Sequence, residues 1–108
     1  MKLFVLFSFF ASSVFASGRV SCEIRVDDSK VFSKQVETTL KTKVLIGETD
    51  SVTAYITANA DDSYALEAYI PENDSRIYAT GILKVRNDKL TVSMWGRGSL
   101  IDVSCDLM

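Results

Sequence analysis

From Ser51 to the C-terminus, apolar residues recur at every second position. Val52, Ala54, Ile56 and Ala58 alternate with Thr53, Tyr55 and Thr57, and Leu66, Ala68 and Ile70 alternate with Ala65, Glu67 and Tyr69. Ile77, Ala79, Gly81, Leu83 and Val85 form the next apolar row. Leu90, Val92 and Met94 follow, then Ile101, Val103, Cys105 and Leu107. A spacing of two puts alternate side chains on opposite faces of a strand, whereas a helix face recurs every three or four residues. Between the rows lie Asn59–Ser63, Glu72–Ser75, Asn87-Asp88 and Arg97-Gly98. Asn, Asp and Gly tolerate unusual backbone angles and bond their own backbone, so these segments read as turns. Pro71 sits at a strand end, where its missing N–H does least harm.

Antiparallel neighbours must pair so that their apolar residues share a face. A loop at Asn59–Ser63 pairs Ile56 with Leu66 and Ala54 with Ala68. A loop at Glu72–Ser75 pairs Ile70 with Ile77 and Ala68 with Ala79. Turns at Asn87-Asp88 and Arg97-Gly98 pair Val85 with Leu90 and Met94 with Ile101. One apolar face survives all these hairpins, which predicts a meander of five strands. Before Ser51, Val20, Cys22, Ile24 and Val26 alternate with Ser21, Glu23 and Arg25, and Asp27-Asp28 follow as a turn. Phe32, Val36, Leu40 and Val44 are four apart, as on a helix, but Thr38-Thr39 and Val44-Leu45-Ile46 favour strands. Two strands broken near Glu37–Lys43 are expected there. The fold class is therefore all-β: an antiparallel meander of about seven to eight strands closing into a small barrel or a two-sheet sandwich.

Cys22 and Cys105 stand near the two ends of this domain, each on the apolar face of its own strand. In an oxidising compartment such a pair forms a disulfide. The compartment is suggested by residues 1–16. Met1-Lys2 carries a positive charge, Leu3–Phe10 is almost wholly apolar, and Val14-Phe15-Ala16 has small residues placed as in a cleavage site. This is the layout of a secretory signal peptide, with an apolar stretch too short for a comfortable bilayer span. Cleavage near Ala16 leaves residues 17–108 as a single β domain, secreted or periplasmic, with no stable membrane insertion expected. Losing Lys2 with the leader leaves 11 basic against 14 acidic side chains, which argues against nucleic acid as a partner.

The face away from the apolar rows is unexpectedly aromatic. In the meander, one cross-strand row reads Tyr55, Glu67, Thr80, Trp95, and the next reads Thr53, Tyr69, Tyr78, then Arg97. Neighbouring strands are about 4.8 Å apart, so these groups could form a continuous patch, with Arg97 over Tyr78 as a cation–π pair. Tyrosine and tryptophan also suit any half-exposed sheet. As a binding surface the patch would stack sugar rings or anchor a protein, while Glu67 and Arg97 supply directional polar contacts. The binding candidates are thus Tyr55, Glu67, Tyr69, Tyr78, Trp95 and Arg97.

Catalytic signals are thin. The chain has no histidine, which removes Ser-His and Cys-His catalysis and His-ligated metal sites. On the meander, the nearest strand carboxylates on the aromatic face are Glu67 and Asp102, roughly 14 Å apart on a flat sheet. That exceeds the separation a glycosidase pair needs, about 5–9.5 Å. The acidic loops at Asp27-Asp28, Asp61-Asp62 and Asn73-Asp74 lack the alternating acids and following glycine of a calcium loop, and turn formation explains them. Asn73-Asp74-Ser75 has the form of a glycosylation acceptor. Lys41 and Lys43 beside Glu37 read as a solvated face. No cofactor or metal and no catalysis are expected. Two functions fit: a non-catalytic module that binds an envelope glycan or a protein through the aromatic face, or an inhibitor or accessory subunit that meets an extracellular enzyme through a loop.

Overall fold

The computed structural model describes residues 16–72, 74–96 and 98–108. The leader apart from Ala16, Asn73 of the acceptor sequence, and Arg97 lie outside the described residues. Eight strands follow one another: β1 (Ala16–Val26), β2 (Ser29–Thr39), β3 (Lys43–Glu48), β4 (Thr53–Ala58), β5 (Ser63–Ile70), β6 (Ser75–Ile82), β7 (Lys89–Gly96) and β8 (Ser99–Leu107). They form two antiparallel sheets, ordered β2-β1-β8-β7 and β3-β4-β5-β6. The fold is a two-sheet sandwich without barrel closure. A single apolar core draws on both inner faces, including Ile24, Val103 and Val92 from one sheet and Ile46, Ile56 and Leu66 from the other.

The ambiguous stretch resolves into β2 and β3, with the break confined to residues 40–42. Cys22 and Cys105 face each other across the β1–β8 ladder and are bonded. Their Cα atoms are 4.1 Å apart and both side chains are buried. The disulfide thus joins the first and last strands inside the core.

Local backbone chemistry accounts for the acidic turns. Among the described residues, seven non-glycine residues have positive φ, and five of them are aspartates: Asp27, Asp28, Asp61, Asp62 and Asp74. Aspartate enters the left-handed region more readily than most residues because its short carboxylate bonds nearby backbone. Asp27 and Asp28 together form a two-residue hairpin turn between Val26 and Ser29. Asp27 Oδ1 also accepts the Leu100 N–H at 2.9 Å, tying this turn to the start of β8. At Gly47, beside a β-bulge in β3, any Cβ would strike the Phe32 ring and force it to move, which glycine avoids.

Two pairings differ from the meander. The Asn87-Asp88 hairpin does not form, because β6 and β7 belong to different sheets. β6 ends at Ile82, buried Leu83 gives its N–H to Asp62 O, and the chain crosses to the other sheet. Val85, expected in the apolar row, is therefore exposed. The crossing splits one broad sheet into two whose inner faces cover each other, which a flat meander could not achieve. The second difference is register. β5 and β6 pair Ile70 with Ser75, Ala68 with Ile77 and Glu67 with Tyr78, two residues from the expected alignment. Pro71 has no N–H for a ladder, and it lies in the turn, not at the strand end. A shift of two keeps the apolar face but changes every cross-strand neighbour. The β4–β5 and β7–β8 registers match the expected ones.

Asp88 holds the crossing. Its carboxylate accepts the N–H groups of Lys84 at 2.9 Å and Val85 at 3.0 Å. The backbone bonds from Val85 and Lys84 lower its pKa below the ordinary value of 3.8. A carboxylate depressed in the folded state contributes stability above its unfolded pKa and loses it as pH falls through the folded value. Urea denaturation of the native protein and an Asp88→Ala variant should therefore differ by a constant amount from neutral pH down to the upper end of carboxylate titration. The two should converge in acid, below 3.8. A gap that persists unchanged in acid would contradict this role.

Candidate binding face

The outer face of β3-β4-β5-β6 is assembled by the β5–β6 register. One cross-strand row reads Leu45, Tyr55, Glu67, Tyr78, and the next reads Thr53, Tyr69, Arg76. Tyr55, Glu67, Tyr69 and Tyr78 therefore come together as neighbours. Trp95 does not join them. It lies on β7 in the opposite sheet and is 71% exposed. The expected row from Thr80 to Trp95 is corrected on this ground, and so is the patch built on it. Arg97 lies outside the described residues. Glu67 and Asp102, expected on one sheet, stand in different sheets.

Glu67 is the centre of the face. Its side chain is charged yet only 9% exposed. Lys43 Nζ bonds its Oε1 at 3.1 Å, and Arg76 Nη1 bonds its Oε2 at 2.8 Å. Each cation also covers an aromatic ring. Lys43 Nζ stands 4.7 Å from the centre of Tyr55, and the Arg76 guanidinium 4.6 Å from that of Tyr69. A buried carboxylate is tolerated when it is paired and bonded on both oxygens, and cation–π contact holds the two cations in place. Glu67 in turn holds the Arg76 guanidinium firmly protonated, raising its pKa. The Tyr69 hydroxyl donates to Asp74 Oδ1 at 2.9 Å, and this bond raises the phenol's pKa. Asp74 thereby pins the β5–β6 turn to the face.

The arrangement revises the polar roles. Glu67 is occupied by protein donors, so it offers a ligand little acceptor capacity. The cation–π pairs are Lys43–Tyr55 and Arg76–Tyr69, neither of which is the expected Arg97–Tyr78. Lys43, expected on a solvated surface, is half-exposed as expected and also reaches Glu67 on this face. Arg76 carried a readable signal, since it stands two residues before Tyr78 on the same face. Tyr78 is 60% exposed, and Ile82, farther along β6, is 57% exposed.

The outer face of the other sheet carries polar pairs alongside exposed Trp95. Arg25 bonds Glu23, Ser93 bonds Asp102, and Lys89 lies 3.9 Å from Asp106. No family model, curated protein or solved structure matches this chain. Among the described residues, no three His, Cys, Asp or Glu side chains gather to hold a metal ion. No helix among them is long and apolar enough to cross a membrane. The buried disulfide is compatible with an oxidising compartment outside the cytoplasm.

Proposed function

We propose that this protein is a secreted or periplasmic, non-catalytic binding module that presents the outer face of β3-β4-β5-β6 to an envelope polymer or protein. The observation that carries this reading is the grouping of Tyr55, Tyr69 and Tyr78 around a braced, buried Glu67, with Tyr78 still 60% exposed. The cation-covered Tyr55 and Tyr69 lose little side-chain freedom on binding, and the open Tyr78 ring beside them is free to stack. The leader-like residues 1–16 and the disulfide supply the compartment.

Co-sedimentation with insoluble envelope polysaccharide tests it. Tyr78→Ala should weaken binding by roughly tenfold or more, as expected for a stacking anchor. Its melting temperature should stay close to that of the native protein, because the ring already faces solvent. Trp95→Ala should leave this binding intact. A large loss of stability in Tyr78→Ala, or polymer binding that ignores the substitution, would refute the assignment.

A second reading draws on Trp95 itself. This exposed ring stands near the end of β7, beside the turn into β8. It suits an inhibitor or accessory subunit meeting an extracellular enzyme through that loop. In a pull-down from envelope extract, a hydrolase lost with Trp95→Ala and kept with Tyr78→Ala favours this reading over the first.

A further inference from the structure

We infer that the centre of this face, between Lys43 on β3 and Arg76 on β6, takes an oxyanion carried on a saccharide ring. This rests on the reading of the face as a binding surface and adds the chemical class of its ligand. Three observations point there. First, the carboxylate that could accept hydrogen bonds from sugar hydroxyls is withdrawn: Glu67 is buried, with Lys43 at one oxygen and Arg76 at the other. Second, the charged groups at the centre that face solvent are donors. Lys43 and Arg76 side chains are each 49% exposed, and each gives one bond to Glu67. An ammonium has three N–H groups and a guanidinium five, so most of their donors remain open. Third, two cations against one carboxylate leave a single positive excess at the centre.

The other acids near this face sit at its margins: Glu48 on β3, and Glu72 and Asp74 in the β5–β6 turn. Glu48 shares the outer face at the β3 corner, opposite Thr53. Three strand spacings separate its row position from Arg76, about 14 Å, beyond the screening length of about 8 Å at physiological salt. Asp74 lies on the turn side of Arg76, where it accepts the hydroxyl of the ring Arg76 covers and offsets part of the guanidinium's charge there. The excess is therefore greatest toward Lys43 and Thr80. Tyr78 completes the site. Among the described residues no cation covers its ring, whereas Tyr55 and Tyr69 are covered by Lys43 and Arg76. A sugar ring can stack on Tyr78 while its carboxylate or phosphate meets the two cations. An arginine fork suits either oxyanion.

Calorimetric titration with four probes tests the inference: tetragalacturonate, glucose 1-phosphate, uncharged maltotetraose and inorganic phosphate. At least one anionic saccharide should bind roughly tenfold or more tighter than maltotetraose, the worth of a charge-assisted bond. Its affinity should fall as salt rises. The tighter of the two anionic saccharides identifies the oxyanion as carboxylate or phosphate. Arg76→Gln and Lys43→Gln should each abolish the preference, and Glu67→Gln, which raises the positive excess, should strengthen it. Lys43 is half-exposed on an edge strand, so its variant carries the test if Arg76→Gln does not fold. Maltotetraose binding as tightly as the anionic sugars, insensitive to salt, would overturn the inference and leave the wider function standing. Inorganic phosphate binding as tightly as the tighter anionic saccharide would overturn it by showing that no ring is read. Failure of all four probes also overturns it, and the Tyr78→Ala co-sedimentation result then judges the wider function separately.

Discussion

Replacing Cys22 and Cys105 together by alanine should lower stability by about 2–5 kcal/mol, the usual effect of losing a native disulfide from a small domain. At roughly 4–8 °C per kcal/mol for a domain of this size, the melting temperature should fall by about 8–40 °C. The size follows from where the bond sits. It spans 83 residues of sequence, so its loss frees nearly the whole domain in the unfolded state. Chain-entropy reasoning puts the constraint from so long a loop at roughly 4–5 kcal/mol. The bond also joins β1 to β8, and β1·β8 is the pairing that closes the chain's two ends into one sheet. Without it, that closure depends on ladder hydrogen bonds and on Val20, Ile24, Ile101 and Val103 finding one another across the full length. Both cysteines are buried, so a thiol reductant should attack only molecules that have opened. Thermal melts by circular dichroism, oxidised against double variant, measure the first effect. Thiol trapping in rising urea measures the second, with labelling expected to follow the unfolding transition. A double variant melting within a couple of degrees of the native protein would show that the ends are held by packing alone.

Strand positions and faces were legible because a strand's side-chain period is two and one face of each strand is buried. Tyr55, Glu67, Tyr69 and Tyr78 were therefore placed on one side correctly without any knowledge of their neighbours. Neighbour identity was harder. Alternation through Val85 satisfies both a hairpin at Asn87-Asp88 and a crossing to a second sheet, and nothing local distinguishes them. Only the mutual burial of two inner faces decides, and that belongs to the whole chain. This is why Trp95 was placed in the wrong row. The β5–β6 register failed for a more local reason. Shifting the turn by one residue, so that Pro71 leaves the ladder, moves each pairing by two. That shift seats Arg76 opposite Tyr69 and Tyr78 opposite Glu67. Lys43 was illegible because the break expected over Glu37–Lys43 left it outside any strand, whereas it opens β3.

Leu66 and Glu67 are adjacent in sequence, and they should respond oppositely to substitution. Leu66 is fully buried in β5, an inner strand of its sheet, paired with Ile56 on β4 and Ala79 on β6. Leu66→Ala should cost about 3–5 kcal/mol, because removed methyl groups leave both lost transfer energy and an unfilled cavity. Collapse is restricted here. Ala54, Ala68 and Ala79 occupy the same inner face around it, and none has a long side chain that could swing into the space. Glu67→Gln removes a charge on the opposite side of the same strand. Its partners Lys43 and Arg76 are half-exposed and regain water, so the loss should be about 1 kcal/mol or less, discounted for screening. Urea denaturation of the two variants compares the faces directly. The midpoint should drop sharply for Leu66→Ala and little for Glu67→Gln. Glu67→Gln should instead change binding at the face, which Leu66→Ala should leave intact while it remains folded. The reverse ranking would mean that the braced carboxylate supports the fold, with the tyrosines around it serving as a second core.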